Sequence, residues 1–201
     1  MSADRATTVL DLHGLLTIGL VDADGSDIKV IVRQLGPLPQ VDAVGGNSDI
    51  TIRFVDRLDV RGTLRQLGRE AAYGEDAFLV LRGRRKTTVR VKIPVAEIGT
   101  TPLEIVAERG LSAVPFLLPI LMLTLLSKGI VPVHASAFVA NGRGTLVTGW
   151  AKGGKSEALL AFADHGATYV GDEWVFVTAD GAAMAGLPEP LRSCYWRRRG
   201  E

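Results

Sequence analysis

The residues with the clearest chemical potential form a glycine-rich run in the last third of the chain. The run follows the pattern Gly-x-x-x-x-Gly-Lys-Ser and consists of Gly149, Trp150, Ala151, Lys152, Gly153, Gly154, Lys155 and Ser156. Glycines in such a loop let backbone N–H groups turn inward and approach a polyphosphate closely. The lysine adds a positive charge at the phosphates, and the serine adds a hydroxyl for a bound Mg²⁺. The pattern therefore predicts a loop that binds the phosphates of a nucleotide.

The stretches on both sides of this run match what such a loop requires, which is a strand before it and a helix after it. The preceding stretch, Thr145 to Thr148, is short, apolar and β-branched, as a buried strand is. The following stretch, Ser156 to Ala163, consists largely of helix formers, and Gly166 provides a stop signal. We therefore predict a strand, a phosphate-binding loop and a helix in this order.

Two adjacent acids follow this helix. Asp172 and Glu173 follow the apolar pair Tyr169-Val170 after a single glycine, Gly171. A strand that ends there beside the loop would deliver a carboxylate to the phosphates and their metal ion. Isolated acids of this kind are more often turn residues, but their position after the loop and its helix favours a functional role.

A histidine precedes the loop on another predicted strand. This strand runs from Val131 to Val139, and a short turn at Asn141 to Gly144 joins it to the strand that enters the loop. We expect these two strands to form a hairpin. His134 would then lie near the loop, where an imidazole can position a phosphate or an acid. The alternative is a histidine whose hydrogen bonds only stabilise its own strand.

The first part of the chain is predicted to be mostly β-structure, because β-branched and apolar segments alternate there with turn residues. The predicted strands are Leu15 to Val21, Ile28 to Arg33, Ile50 to Val55, Ala77 to Arg82 and Thr87 to Ile93. Polar and apolar residues alternate in one of them, which places Ile50, Ile52 and Phe54 on a buried face. This alternation predicts a half-buried antiparallel sheet.

Two helices are predicted next. Thr101 is a suitable N-cap and Pro102 suits the first helical position. The negative charge of Glu104 would stabilise the positive, N-terminal end of the helix dipole, and Gly110 would end this helix. The run from Ala113 to Leu126 is largely apolar, but about 14 residues extend only about 21 Å, against a hydrocarbon core of about 30 Å. We interpret this run as a helix buried under a sheet.

Composition and charge limit the remaining function classes. The net charge is +1, so there is no overall electrostatic case for a nucleic-acid or membrane partner. The single cysteine, Cys194, excludes an internal disulfide framework and suits a reducing compartment. Three histidines and one cysteine, widely spaced, do not form a zinc site.

We interpret the basic run Arg82 to Lys86 as an exposed hairpin tip, with an anion site as the alternative, and Arg197 to Arg199 as a solvated tail.

Together these motifs resemble the catalytic domain of HPr kinase/phosphorylase and its shorter bacterial relatives. The resemblance rests on His134 to Ala137, on the hairpin, on Gly149 to Glu157 and on Gly171 to Glu173. It covers residues 111–191, whereas the N-terminal part is similar only to the variable β-rich region of the shorter relatives. The resemblance implies an α/β (α+β) fold with a β-rich region over residues 1–110. Residues 111–201 would form a P-loop kinase core of the HPr kinase and PEP carboxykinase-like type.

The resemblance also implies roles for single residues. Lys155 and the loop amides would bind the β- and γ-phosphates of ATP, and Ser156 would ligate Mg²⁺. Asp172 would be the base that takes the proton from a substrate serine, and His134 would position the γ-phosphate or the acid. Glu173 stands where the family commonly has Asp, and we assign it to the metal. The division of base and metal roles between the two acids stays open.

We therefore expect a cytoplasmic, ATP-dependent serine kinase that acts on a small protein or peptide. Its relatives commonly form homo-oligomers. Two alternatives are a regulatory module that binds nucleotide without chemistry and a P-loop ATPase. The chains of the relatives continue past the position of Glu201 with further strands, another metal-binding glutamate and a substrate-facing loop. The resemblance thus implies a C-terminally incomplete kinase domain, which favours the first alternative.

Overall fold

The chain forms two compact units, residues 1–130 and residues 131–201, in a computed structural model. The structure describes residues 7–42, 48–59, 63–74, 78–82, 88–100 and 102–188. The architecture is mixed α and β, with a large mixed sheet and three α-helices in the described residues. The predicted boundary after residue 110 lies within the first unit, which also includes the apolar helix that follows it.

The first unit is built on a mixed sheet whose described strands number nine. These are β1 (Thr7–Leu12), β2 (Leu16–Val21), β3 (Gln40–Val41), β4 (Ile50–Val55), β5 (Arg65–Leu67), β6 (Ala71–Tyr73), β7 (Phe78–Arg82), β8 (Thr88–Ile93) and β9 (Leu103–Glu108). Their order is β3-β1-β2-β4-β9-β8-β7-β6-β5. Helices α1 (Gly25–Leu35) and α2 (Leu117–Ser127) and a short 3₁₀ turn at Val95–Glu97 complete the unit.

Strand β4 shows what the period-two alternation could and could not predict. Ile50, Ile52 and Phe54 are buried, as predicted. The predicted antiparallel pairing is wrong for this strand, because β4 runs parallel to both of its neighbours, β2 and β9. The alternation of apolar and polar residues shows only that one face of a strand is buried. Whether two strands pair parallel or antiparallel depends on the segment that connects them. Here helix α1 lies between β2 and β4 in the chain.

The predicted strand from Ile28 to Arg33 is wrong, because this segment belongs to helix α1. Asp24 caps the helix by accepting hydrogen bonds from the N–H groups of Ser26 and Asp27, at 2.7 and 3.0 Å. The Asp27 carboxylate in turn accepts from the Asp24 N–H, which completes a capping box. The β-branched residues that favoured a strand instead form the buried face of the helix, together with Leu35.

The predicted helix from Thr101 to Gly110 is also wrong, because residues 103–108 form strand β9. Its buried residues are every second one, Leu103, Ile105 and Ala107, and this is the period of a strand. The residues typical of a helix start favour a helix here, but the alternation of apolar and polar residues from Leu103 to Glu108 is the pattern that matches the structure. Thr101 itself lies outside the described residues.

Helix α2 confirms an apolar helix between Ala113 and Leu126, but it begins only at Leu117 and is not wholly buried, since Leu123 and Leu126 are 49% and 52% exposed. Lys128, just after the helix, donates a hydrogen bond at 2.8 Å to Asp49, which also accepts the N–H of Thr17 at 2.8 Å. Burial raises the pKa of Asp49, but the bonds from Lys128 and Thr17 outweigh it and hold this pKa below its usual value. In the described part of the chain, no helix is long and apolar enough to cross a membrane.

The second unit contains two three-stranded sheets in its described part. The strands are β10 (Ile130–His134), β11 (Ser136–Ala140), β12 (Arg143–Val147), β13 (Thr168–Gly171), β14 (Trp174–Thr178) and β15 (Met184–Gly186), and the helix is α3 (Lys155–Ala163). One sheet has the order β10-β14-β15 and the other the order β12-β11-β13. A buried cluster of Ala135, Ala137 and Val175 contacts residues of both sheets. Helix α3 packs on β11, where the rings of Phe162 and Phe138 stack with centroids 4.5 Å apart.

The predicted hairpin is confirmed, and the strand before it is divided. Strands β11 and β12 pair antiparallel, and the turn residues Asn141 and Gly142 both have positive φ, at 50° and 71°. The predicted single strand from Val131 to Val139 is broken at Ala135, so that β10 and β11 join different sheets.

Some predictions concern segments that the structure does not describe. Strands β7 and β8 pair antiparallel, but residues 83–86 of the predicted basic tip lie outside the described residues. So do the tail at Arg197 to Arg199 and the single cysteine, Cys194.

A close approach between β13 and β15 generates a stability prediction. A Cβ on Gly186 would lie 2.6 Å from Gly171 Cα and would also collide with the carbonyl oxygen of Val170. Because these are backbone atoms, we expect Gly186→Ala to destabilise the protein by about 2 kcal/mol or more. Thermal unfolding measures this. Gly25→Ala is the matched control, since a Cβ there meets nothing within 4 Å. Equal melting temperatures for the two variants would contradict the packing of β13 on β15.

Candidate functional site

Three strand ends bring the predicted site residues to one edge of the sheet. Both β12 and β13 pair antiparallel with the central strand β11, so their C-terminal ends lie on the same side. The register pairs Ser136 with Val147 and Ala137 with Gly171. The glycine-rich loop after β12, the acids after β13 and the residues that begin β11 therefore meet at this edge.

The glycine-rich loop, Gly149 to Gly154, turns tightly before α3. The Gly153 N–H donates to the carbonyl oxygen of Trp150 at 3.0 Å, and a Cβ on Gly153 would lie 2.9 Å from that oxygen. Gly154, with φ of 87°, is the N-cap of α3. Only glycine fits both positions without strain. The helix that begins at Lys155 thus presents its N-terminal N–H groups and positive dipole end next to the loop.

Lys155 folds back over the loop that precedes it. Its ammonium donates to the carbonyl oxygens of Gly149 and Trp150, at 3.2 and 3.3 Å, and the residue is buried. Both of these partners are neutral, so they leave the positive charge of the lysine available to an anion bound by the loop.

Asp172 connects the loop helix to the sheet. Its carboxylate is buried and accepts hydrogen bonds from two serine hydroxyls. One oxygen accepts from Ser156, the serine of the loop pattern, at 2.8 Å. The other accepts from Ser136 at the start of β11. A buried carboxylate needs such donors, because the loss of hydration is otherwise expensive.

Glu173 lies in a different environment from its neighbour. Its carboxylate is hydrogen-bonded to Nε2 of His134 at 2.9 Å, and both side chains are more than 40% exposed. The His134 ring also contacts the Trp174 ring, with centroids 5.2 Å apart. Glu173 has a φ of 73°, a left-handed conformation that is strained for a residue other than glycine. Strain of this kind is concentrated at functional sites.

The structure divides the predicted residues into two pairs beside the loop. Ser156 bonds to Asp172, and His134 bonds to Glu173. The resemblance implies that Glu173 holds the metal with Ser156, but the carboxylate next to Ser156 belongs to Asp172. Within the loop, Trp150, Ala151 and Lys152 are exposed, whereas Lys155 is buried.

Ser136 lies in the site but is not among the residues predicted from the sequence, where it appears only within the run from His134 to Ala137. One feature of the sequence points to it: its hydroxyl stands at the start of an apolar strand, two residues after His134. Its hydrogen bond to Asp172 depends on pairing between distant segments, which this signal does not reveal.

The donor groups fit a magnesium ion that is bound together with phosphates. Mg²⁺ in nucleotide sites is held by one or two protein oxygens, by phosphate oxygens and by water. Ser156 and Asp172 supply a hydroxyl and a carboxylate side by side. Among the described residues no group of three or more His, Cys, Asp or Glu side chains is arranged to hold a metal by itself.

Comparisons with protein-family models, with curated proteins and with solved structures found no match to this chain.

The strained backbone at Glu173 generates a second stability prediction. We expect Glu173→Gly to be more stable than Glu173→Ala by about 1 kcal/mol, because only glycine adopts this φ without a Cβ penalty. Both variants lose the same carboxylate, so the comparison isolates the backbone. Chemical denaturation measures the difference. If the alanine variant is as stable as the glycine variant, the left-handed conformation at this position is wrong.

Proposed function

We propose that this chain is a P-loop kinase of the HPr-kinase-like type, which transfers the γ-phosphoryl group of ATP to a serine of a small protein or peptide. The observation that carries the proposal is the hydrogen bond between Ser156 of the loop and the buried Asp172. A loop serine next to an aspartate carboxylate is the pair that holds Mg²⁺ in P-loop nucleotide enzymes.

The loop and Lys155 account for phosphate binding. The first N–H groups of α3 directly follow the loop and have no side-chain cap, and the Lys155 ammonium lies against the loop carbonyls. When a nucleotide binds, the lysine would exchange these neutral partners for phosphate oxygens. This exchange is favourable because hydrogen bonds between charged groups are stronger than those to neutral carbonyls.

Ser156 and Asp172 would hold the magnesium ion, whose charge neutralises the phosphates during transfer. In this proposal Ser136 is a positioning residue, because its hydrogen bond fixes one oxygen of Asp172. Asp172 is buried and already accepts two hydroxyl hydrogen bonds. A buried carboxylate whose two oxygens already hold hydroxyl groups suits a fixed metal ligand better than a base that must contact an incoming serine.

The exposed pair of His134 and Glu173 is better placed to serve the acceptor. We assign Glu173 as the base, with His134 orienting its carboxylate. The acceptor oxygen forms a bond to the γ-phosphorus while the bond from that phosphorus to the β-phosphate oxygen breaks. The serine proton passes to the Glu173 carboxylate, and ADP leaves. Because ATP is the donor, we assign the reaction to the cytoplasm.

Replacement of Lys155 tests this proposal. Serine-containing peptides on an array are incubated with radiolabelled ATP and Mg²⁺, and we expect label on a subset of them. Lys155→Ala should reduce transfer about 100-fold or more, because it removes a charge that stabilises the transition state. Lys29→Ala is the matched control, since Lys29 is an exposed lysine on α1 in the first unit.

The other outcomes separate the alternative functions. Binding of ATP without any labelled peptide would contradict kinase activity and support a regulatory nucleotide-binding module. Steady release of phosphate in the absence of peptide would support an ATPase. Transfer that persists in Lys155→Ala would contradict the assignment of the site.

A further inference from the structure

Trp150 is the most exposed of the large apolar residues in the described part of the chain, at 91%. Its backbone is nevertheless held in place, because its carbonyl oxygen accepts from the Gly153 N–H at 3.0 Å and from Lys155 at 3.3 Å. A fixed backbone therefore presents an indole to solvent.

The fold does not explain this side chain. A tryptophan that packs in a protein interior buries about 150–250 Å², whereas the indole of Trp150 leaves nearly all of its surface in water. The loop pattern requires no particular residue at this position. Tryptophan is enriched among the residues that contribute most of the binding energy at protein interfaces. The position of this indole on the loop suggests that its partner is a reactant.

The hydrogen bond from Lys155 to the backbone carbonyl of Trp150 indicates which end of the loop carries the indole. In loops of this pattern the lysine reaches the β- and γ-phosphates. The Lys155 ammonium lies against the carbonyl oxygens of Gly149 and Trp150, at the beginning of the loop. This end of the loop is therefore the γ-phosphate end, and it is the side from which an acceptor must approach in line with the leaving group.

We propose that Trp150 is a specificity-determining residue that binds the phosphoryl acceptor. The acceptor is a polypeptide segment with an apolar or aromatic side chain close to its reactive serine, and this side chain packs on the indole. The inference rests on the proposed kinase function and adds the chemical class of the residue beside the serine. An indole suits this task because it offers a large apolar surface with little conformational entropy to lose.

The test compares Trp150→Ala with Trp150→Phe on an array of serine peptides in which each flanking position is varied. We expect the wild type to prefer peptides with an apolar or aromatic residue near the serine. Trp150→Ala should lower kcat/KM on these peptides about tenfold, mainly through KM, because the lost contact contributes to acceptor binding. Trp150→Phe should retain most of the preference. Affinity for Mg²⁺-ATP, measured by calorimetry, should be the same in all three proteins.

Three results would overturn the inference. Unchanged peptide preferences in Trp150→Ala, with transfer intact, would remove the assigned role and leave the kinase function standing. A parallel loss of ATP affinity would place the indole against the nucleotide. Failure of the wild type to label any peptide would contradict the kinase function, and this inference with it. Tyr73→Ala, which removes an exposed aromatic from β6 in the first unit, is the matched control for lost aromatic surface.

Discussion

The carboxylate of Asp172 is the point on which the candidate site depends. It is buried at the end of β13 and accepts one hydroxyl from the start of β11 and another from the first turn of α3. A buried carboxylate that lost either donor would pay for desolvation without full compensation. The positions of the two strands and of the helix are therefore coupled through one side chain. The glycine-rich loop lies between β12 and α3, so this coupling also limits where the loop can lie.

Strand direction explains why these residues meet at all. Because β12 and β13 flank β11 and both oppose it, their ends deliver the loop and the paired acids to the same edge. The two acids then turn to different partners. Asp172 is buried against serines, whereas Glu173 adopts a left-handed backbone and pairs with His134 in a more exposed place. Adjacent carboxylates in such unlike environments are suited to separate tasks, one beside a cation and one beside an acceptor.

Local patterns predicted some parts of this structure well and failed where distant contacts decide. The strand, loop and helix around Lys155 and the turn at Asn141 are local, and the structure forms them in the predicted order, although no residue of the predicted buried strand is buried. The segment from Ile28 to Arg33 is an exception, because the local capping box at Asp24 begins a helix where the β-branched residues favour a strand. The direction of β4 and the bond between Ser136 and Asp172 depend on pairing between distant segments. No local pattern contains that information.

The central claim is that Asp172 and Ser156 form the metal end of a nucleotide site. Calorimetric titration of ATP into the wild type and into Asp172→Asn, each with and without Mg²⁺, tests it most directly. The account predicts that Mg²⁺ strengthens ATP binding to the wild type and that Asp172→Asn loses most of this effect while remaining folded. The account would be contradicted if the wild type bound ATP with the same affinity with and without Mg²⁺. It would also be contradicted if Mg²⁺ changed the ATP affinity equally in the two proteins.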